Sequence, residues 1–329
     1  MDFDLSEDQK EIKATAKSLL AARSPMEAVR RAAEGEGYDA ALRGELSSLG
    51  WPGIAVSEEH GGQGLGIVEL CVLLEELGYA CAATPFLPSA AAGAAIERFG
   101  SDEQRARWLP ALAAGEATAG VGTTELCADA DGAAVVLLLG DDGVSLLAGD
   151  EAEVTPIEAI DPTRTYARVA GSGEPLGDGA ADVLRVALAA EVVGLSQRAL
   201  DMTLEYVKER KQFDTPVGAF QAVSHRCAQM LFDTESARST TLYAAWAADA
   251  DPSLLPEAAA LAAAAAADGG RAVTASAIQA HGGIGFTWEA DVHWLYKRAQ
   301  LDAALLGGAR RHRAALARIA AQKVAGQPA

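Results

Sequence analysis

Apolar positions in the first third of the chain recur every three to four residues. Leu5, Ile12, Ala16 and Leu19 fall on one stripe, and Ser6 followed by Gln9 reads as a capping box, so a first helix is predicted from about Glu7 to Ala22. Asp39 to Leu49, Ile67 to Gly78, Ser89 to Phe99 and Asp102 to Ala113 give the same helical signal, with Ser101 placed to cap the last. The glycine-rich WPGIAVSEEHGGQGLG ends the second of these helices. Residues 1 to 117 are expected to form an all-helical domain.

From Thr118 the pattern shortens. AAVVLLLG, GVSLLAG and TYARVAG are brief apolar runs divided by DG, DDG and SG, the signature of strands joined by tight turns, and they predict a small β domain over residues 118 to 178. After EPLGDGA the helical period returns. Leu184, Leu188, Val192, Leu195, Ala199 and Met202 mark a helix from Ala181 to Lys208. Further helices are predicted from Phe220 to Ala248, from Pro256 to about Ala280, and as one piece from Glu289 to Gln322. Four long antiparallel helices make a bundle over residues 179 to 329, and the tail VAGQPA reads as disordered. The expected fold is therefore mainly α with a small β domain.

Alanine supplies much of the hydrophobic content and aromatics are only 5%, which suits closely spaced helices. A formal charge of -19 argues against nucleic acid as a partner, because a phosphate backbone seeks clustered Lys and Arg. The run from Ala258 to Ala267 is too short to span a bilayer, and MDFDLSEDQKEIK has no secretory signature, so a soluble, cytoplasmic protein is expected. Cys71, Cys81, Cys127 and Cys227 show neither CxxC spacing nor the density of a disulfide scaffold, and read as inert buried thiols.

One helical connection carries more chemistry than it needs. In ERKQFDTPVGAFQ, Glu209 to Gln221, Arg210 can make a charge-assisted bond to phosphate and Phe213 can offer a flat face to a ring. QAHGGIGFTWEADVHWLYKR, from Gln279, places a glycine pair at a helix end, where free backbone N–H groups suit a pyrophosphate or ribose. Singly, each has a plain reading: HGG is ordinarily a C-cap turn and an arginine at a helix end ordinarily faces solvent. Two such clusters in one bundle point to a ligand.

The segments ERKQFDTPVGAFQAVSHRCAQM and QAHGGIGFTWE, in that order behind a helical region and a β module, resemble the two bundle signatures of the flavin-dependent acyl-CoA dehydrogenase family. Asp214 stands where the family usually has glycine. The resemblance covers essentially the whole chain. It implies FAD as cofactor, an acyl-CoA substrate, α,β-desaturation, and an electron-transfer flavoprotein or equivalent acceptor. It also implies that Arg210, Gln212, Phe213, Phe220, Gln221, Gln279, Gly282 and Gly283 grip the adenine and pyrophosphate end of an FAD whose ring lies in a neighbouring subunit.

The family's reaction needs a carboxylate base tuned by an apolar pocket. Its usual position falls here on Leu306, before Gly307, and its minority position on Leu184, before Arg185. Neither leucine can take a proton. In the β module, GTTELCADADG keeps Thr124 and Glu125 of the family's flavin-ring strand but loses the rest, and no tryptophan occurs between Trp108 and Trp246. The resemblance is thus to the base-lacking, shortened subunit of α2β2 members, several of which act on steroid side-chain CoA thioesters, with a base-containing partner supplying catalysis. Two alternatives stay open: a self-sufficient homo-oligomer with a relocated base, for which Glu191 is the candidate, and a flavin-free structural protein of the same fold. His225 and His281 read as structural, Glu289 as an N-terminal helix residue favoured by the dipole, and ARRHR as a basic helix face that CoA phosphates would suit.

Overall fold

The computed structural model describes residues 4–325. Helices α1 (Glu7–Arg23), α2 (Met26–Arg31), α3 (Ala40–Ser48), α4 (Ile67–Tyr79), α5 (Phe86–Phe99) and α6 (Asp102–Ala113) come first. The capping boxes at Ser6/Gln9 and Ser101/Gln104 are both formed, each serine accepting a bond from the backbone of the glutamine three residues on. The sequence pattern missed α2, a single short stretch behind Pro25 with no side-chain cap.

Seven strands follow: β1 (Ala119–Gly122), β2 (Cys127–Ala128), β3 (Val135–Leu139), β4 (Val144–Ala148), β5 (Glu153–Ile157), β6 (Tyr166–Ala170) and β7 (Glu174–Pro175). They form one sheet in the order β5-β6-β2-β1-β3-β4-β7, with β1 and β3 parallel and the other neighbours antiparallel. The three predicted apolar runs are β3, β4 and β6. The polar β5 was not foreseen: its residues are largely exposed, so it has no apolar run to betray it.

The bundle comprises α7 (Ala180–Glu209), α8 (Gln221–Ala250), α9 (Leu255–His281), α10 (Val292–Leu305) and α11 (Gly308–Ala325), with a two-stranded hairpin, β8 (Lys211–Gln212) and β9 (Thr215–Pro216), between α7 and α8. α9 lies at its centre, and Ala258, Ala259, Ala262, Ala263 and Ala266 are wholly buried there. Small side chains let the surrounding helices close on it. Buried hydroxyls are satisfied within their own helices, as Thr203 donates to the Ala199 carbonyl at 2.7 Å and Thr274 to that of Gly270 at 2.7 Å. α4 crosses α7 closely enough that a Cβ on Gly78 would lie 2.1 Å from the Glu191 carbonyl oxygen, and one on Gly194 1.9 Å from that of Glu75. Only glycine fits at either place.

The helix expected from Glu289 to Gln322 is broken. Gly307 and Gly308 have φ of +81° and +71°, a left-handed pair that ends α10 and lets α11 set off afresh. The buried His312 ring meets the freed Leu306 carbonyl. Glu289 is not an N-terminal helix residue, because it sits exposed in the turn before α10. Val324 and Ala325 of the tail are helical, and the remainder of VAGQPA lies outside the described residues. All four cysteines are buried and free, and burial raises their thiol pKa values, that of Cys81 to about 12. Among the described residues no helix is long and apolar enough to cross a membrane.

Candidate functional site

Two places gather the residues that matter, one open and one closed. The open one lies where α7 and α9 end side by side. Arg210 is the C-cap of α7, and from it the chain turns through the β8–β9 hairpin into α8. The hairpin tip is Phe213–Asp214, with φ of +53° and +61°. Two central residues with positive φ make the tight turn that matches strand twist, and aspartate tolerates that conformation better than most side chains. This gives a physical reason for glycine to be favoured at position 214.

Arg210, Gln212, Phe220, Gly282 and Gly283 line a groove of 560 Å³ at this end of the bundle. Five of the eight predicted residues therefore share one surface. Phe213 projects from the hairpin tip, 91% exposed, while Gln221 and Gln279 lie exposed beside the groove without lining it. A Cβ on Gly282 or Gly283 would meet nothing within 4 Å, so the backbone is open to an incoming group. The groove wall also holds Tyr206 and His281, stacked with ring centroids 4.4 Å apart. Burial lowers the His281 pKa, and the bond from Nδ1 to the Ala277 carbonyl at 2.8 Å orients the ring as a flat platform. Tyr206 escaped the sequence reading; its place one helical turn before Arg210 was the available signal. His225 is exposed on α8.

The closed place is the seam between the sheet and the bundle. Leu184 is wholly buried and Leu306 is 2% exposed, so both expected base positions are core. Glu191, two turns on from Leu184, accepts from Arg164 at 2.6 Å and from Arg298 at 3.1 Å. Arg298 also bonds Asp161 at 2.5 Å, and Arg164 reaches Asp302 at 3.3 Å and Asp129 at 3.8 Å. Burial pushes the Glu191 carboxyl up, but the two guanidiniums outweigh it and hold it below its ordinary range. Asp161 is lowered in the same way, burial being outweighed by Arg298 and by bonds from Thr163. Asp302 moves the other way, raised by burial and then by the Glu191 charge, and burial likewise raises Asp129. A carboxylate clamped by two arginines is a poor proton acceptor, which argues against Glu191 as a relocated base.

Of the predicted flavin-ring residues, Glu125 is exposed and pairs with Arg168 at 3.3 Å, and Thr124 uses its carbonyl to hold the Val169 amide at 2.9 Å. In the ARRHR run, Arg311 meets Asp141 at 3.1 Å, Arg313 pairs with Asp268, and His312 is buried.

The sequence matches the acyl-CoA dehydrogenase N-terminal domain over residues 6–116 and the acyl-CoA dehydrogenase C-terminal domain over residues 171–321. It is 36% identical over 310 residues to the acyl-CoA dehydrogenase IpdE2 of Mycolicibacterium smegmatis, covering 92% of this chain and 96% of that one. The steroid ACAD Tcur3481-Tcur3483 superposes with a TM-score of 0.89 at 29% identity, over 97% of this chain and 99% of that one. A chain of the ChsE4-ChsE5 complex from Mycobacterium tuberculosis gives 0.85 at 26% identity, with both chains covered in full.

Proposed function

The chain belongs to the acyl-CoA dehydrogenase family, and from that premise we propose that it is the non-catalytic member of a hetero-oligomer, lending a nucleotide grip to a base-containing partner subunit. Membership makes FAD the cofactor and an acyl-CoA thioester the kind of substrate. The observation that carries the reading is a contrast within one molecule. Both base positions are buried leucines, whereas the groove formed by Arg210, Phe220 and the Gly282–Gly283 backbone stands open at the surface.

FAD, when bound, supplies the hydride acceptor for α,β-desaturation. This chain's residues would hold its adenine and pyrophosphate end. Arg210 offers a guanidinium to phosphate, and the unobstructed Gly282–Gly283 backbone allows close approach. Phe220 and the Tyr206–His281 stack present flat faces to the base. Gln212, Phe213, Gln221 and Gln279 close around it from the rim. The partner would contribute the ring cradle and the base, and an electron-transfer flavoprotein or equivalent would take the electrons. The likeness to the steroid ACAD Tcur3481-Tcur3483 favours a bulky, steroid-derived acyl group, and the likeness to a chain of the ChsE4-ChsE5 complex favours a partner subunit.

Co-expression with a base-containing relative tests this. The expected outcome is a yellow complex of both chains with dehydrogenase activity, against a weakly flavinylated, inactive product when this chain is purified alone. Robust activity of the isolated chain would refute the proposal, and a colourless complex would favour a flavin-free structural role.

A further inference from the structure

The family's cofactor and this chain's own seam do not fit each other. Where sheet and bundle meet, the space is filled by Arg164, Arg298, Asp129, Asp161, Glu191 and Asp302, none more than 4% exposed. They come from four separate segments. Asp161 and Arg164 lie on the loop between β5 and β6, Glu191 on the middle of α7, and Arg298 and Asp302 on α10, while Asp129 follows β2. Arg298, wholly buried, ties loop to bundle through the Asp161 carboxylate, the Thr163 hydroxyl at 2.5 Å and the Thr163 carbonyl at 3.2 Å. Arg164 returns the tie from the loop to Glu191 and Asp302.

Two guanidiniums face four carboxyl groups. The four carboxyls are displaced in two directions: Asp161 and Glu191 are held down by the guanidiniums, whereas burial pushes Asp129 and Asp302 up. Among the described residues Glu191 Oε2, Asp302 Oδ2, Asp129 Oδ2 and Arg164 Nε have no hydrogen-bond partner, yet all four are sealed from solvent by the neighbouring charged side chains. A neutral aromatic ring entering here would part buried arginines from their carboxylates and offer neither a replacement partner, and an apolar acyl chain would do the same.

We infer that this six-residue ionic cluster is a plug: it closes the chain's own cleft to flavin ring and acyl chain alike, so every ring bound by the complex lies in the partner subunit. The inference rests on the proposed half-site role and explains why the role cannot be reciprocal. The two arms can fail separately. Two photoreactive forms of FAD, one with an azide on the isoalloxazine ring and one with an azide on the adenine, are loaded into the deflavinated complex and the labelled peptides mapped. The ring azide is expected to mark the partner and to leave residues 161–166 and 298–306 of this chain unlabelled. The adenine azide is expected to mark residues 206–221 or 279–286. Ring label on residues 161–166 or 298–306, or two FAD per heterodimer, overturns the plug. Absence of adenine label from this chain, with the ring label still confined to the partner, overturns the half-site reading. Hydrogen exchange on the intact complex supplies a second measure: amides 161–166 should keep the same protection with and without FAD, and a gain in exchange on deflavination would sink the plug.

Discussion

Arg210 and Arg298 are the same residue in opposite situations, and the groove and the seam differ as they do. Around Arg210 the chain leaves a guanidinium, the Phe220 ring and a bare glycine backbone open to solvent. Around Arg298 the charged groups face one another within the chain, away from solvent. Charge at a surface is available for binding, whereas charge in a sealed core is committed to the fold. In the proposed reading the outward-facing groove serves the cofactor and the inward-facing seam serves the fold.

The largest effect should come from the seam. Glu191→Gln leaves two buried arginines short of an anion, and should destabilise the chain by about 3–5 kcal/mol in thermal or denaturant unfolding. If Glu191 were instead the base of a self-sufficient enzyme, activity would vanish with stability nearly intact. Arg210→Ala on the groove should leave the melting temperature unchanged and weaken FAD retention in the complex by about 2 kcal/mol, roughly 30-fold, read by flavin fluorescence during dilution. Unaltered retention would remove Arg210 from the grip.

Acid and base should act on the seam in opposite senses. Asp161 and Glu191 are held below their ordinary values of 3.8 and 4.5, so their stabilisation is present above those values and is lost as falling pH protonates them. Asp129 and Asp302 are held above 3.8, so what they contribute is full below that value and fades as pH rises through their folded values. Melting temperature against pH should therefore pass through a maximum. The smallest effect is expected from Asp302→Asn, which replaces a proton-bearing carboxyl by a neutral amide of the same shape. It should cost less than about 1 kcal/mol and flatten the alkaline limb. A loss as large as that of Glu191→Gln would mean that Asp302 is an anion.

What the sequence reveals follows the range of the interactions. The capped helices at Ser6 and Ser101, the apolar strands β3, β4 and β6, and the furnished turn at Arg210 are local patterns, and they are legible. Gly307–Gly308 was equally visible, yet helical periodicity on both sides masked the break. Asp161, Arg164, Arg298 and Asp302 drew no notice in the sequence, because nothing in their immediate neighbours announces that a loop, α7 and α10 converge. Leu184 and Leu306 pointed to a missing base but gave no hint of what fills the space near them.

The crossing of α4 over α7 has a consequence for change over time. With Gly78 and Gly194 each pressed against the other helix's carbonyl, any side chain at either position forces the two backbones apart. Such a contact behaves as a hinge pin: it resists substitution, but it places no demand on the chemistry of the residues hung around it. The frame therefore holds its shape whether positions 184 and 306 carry proton-transfer groups or core leucines.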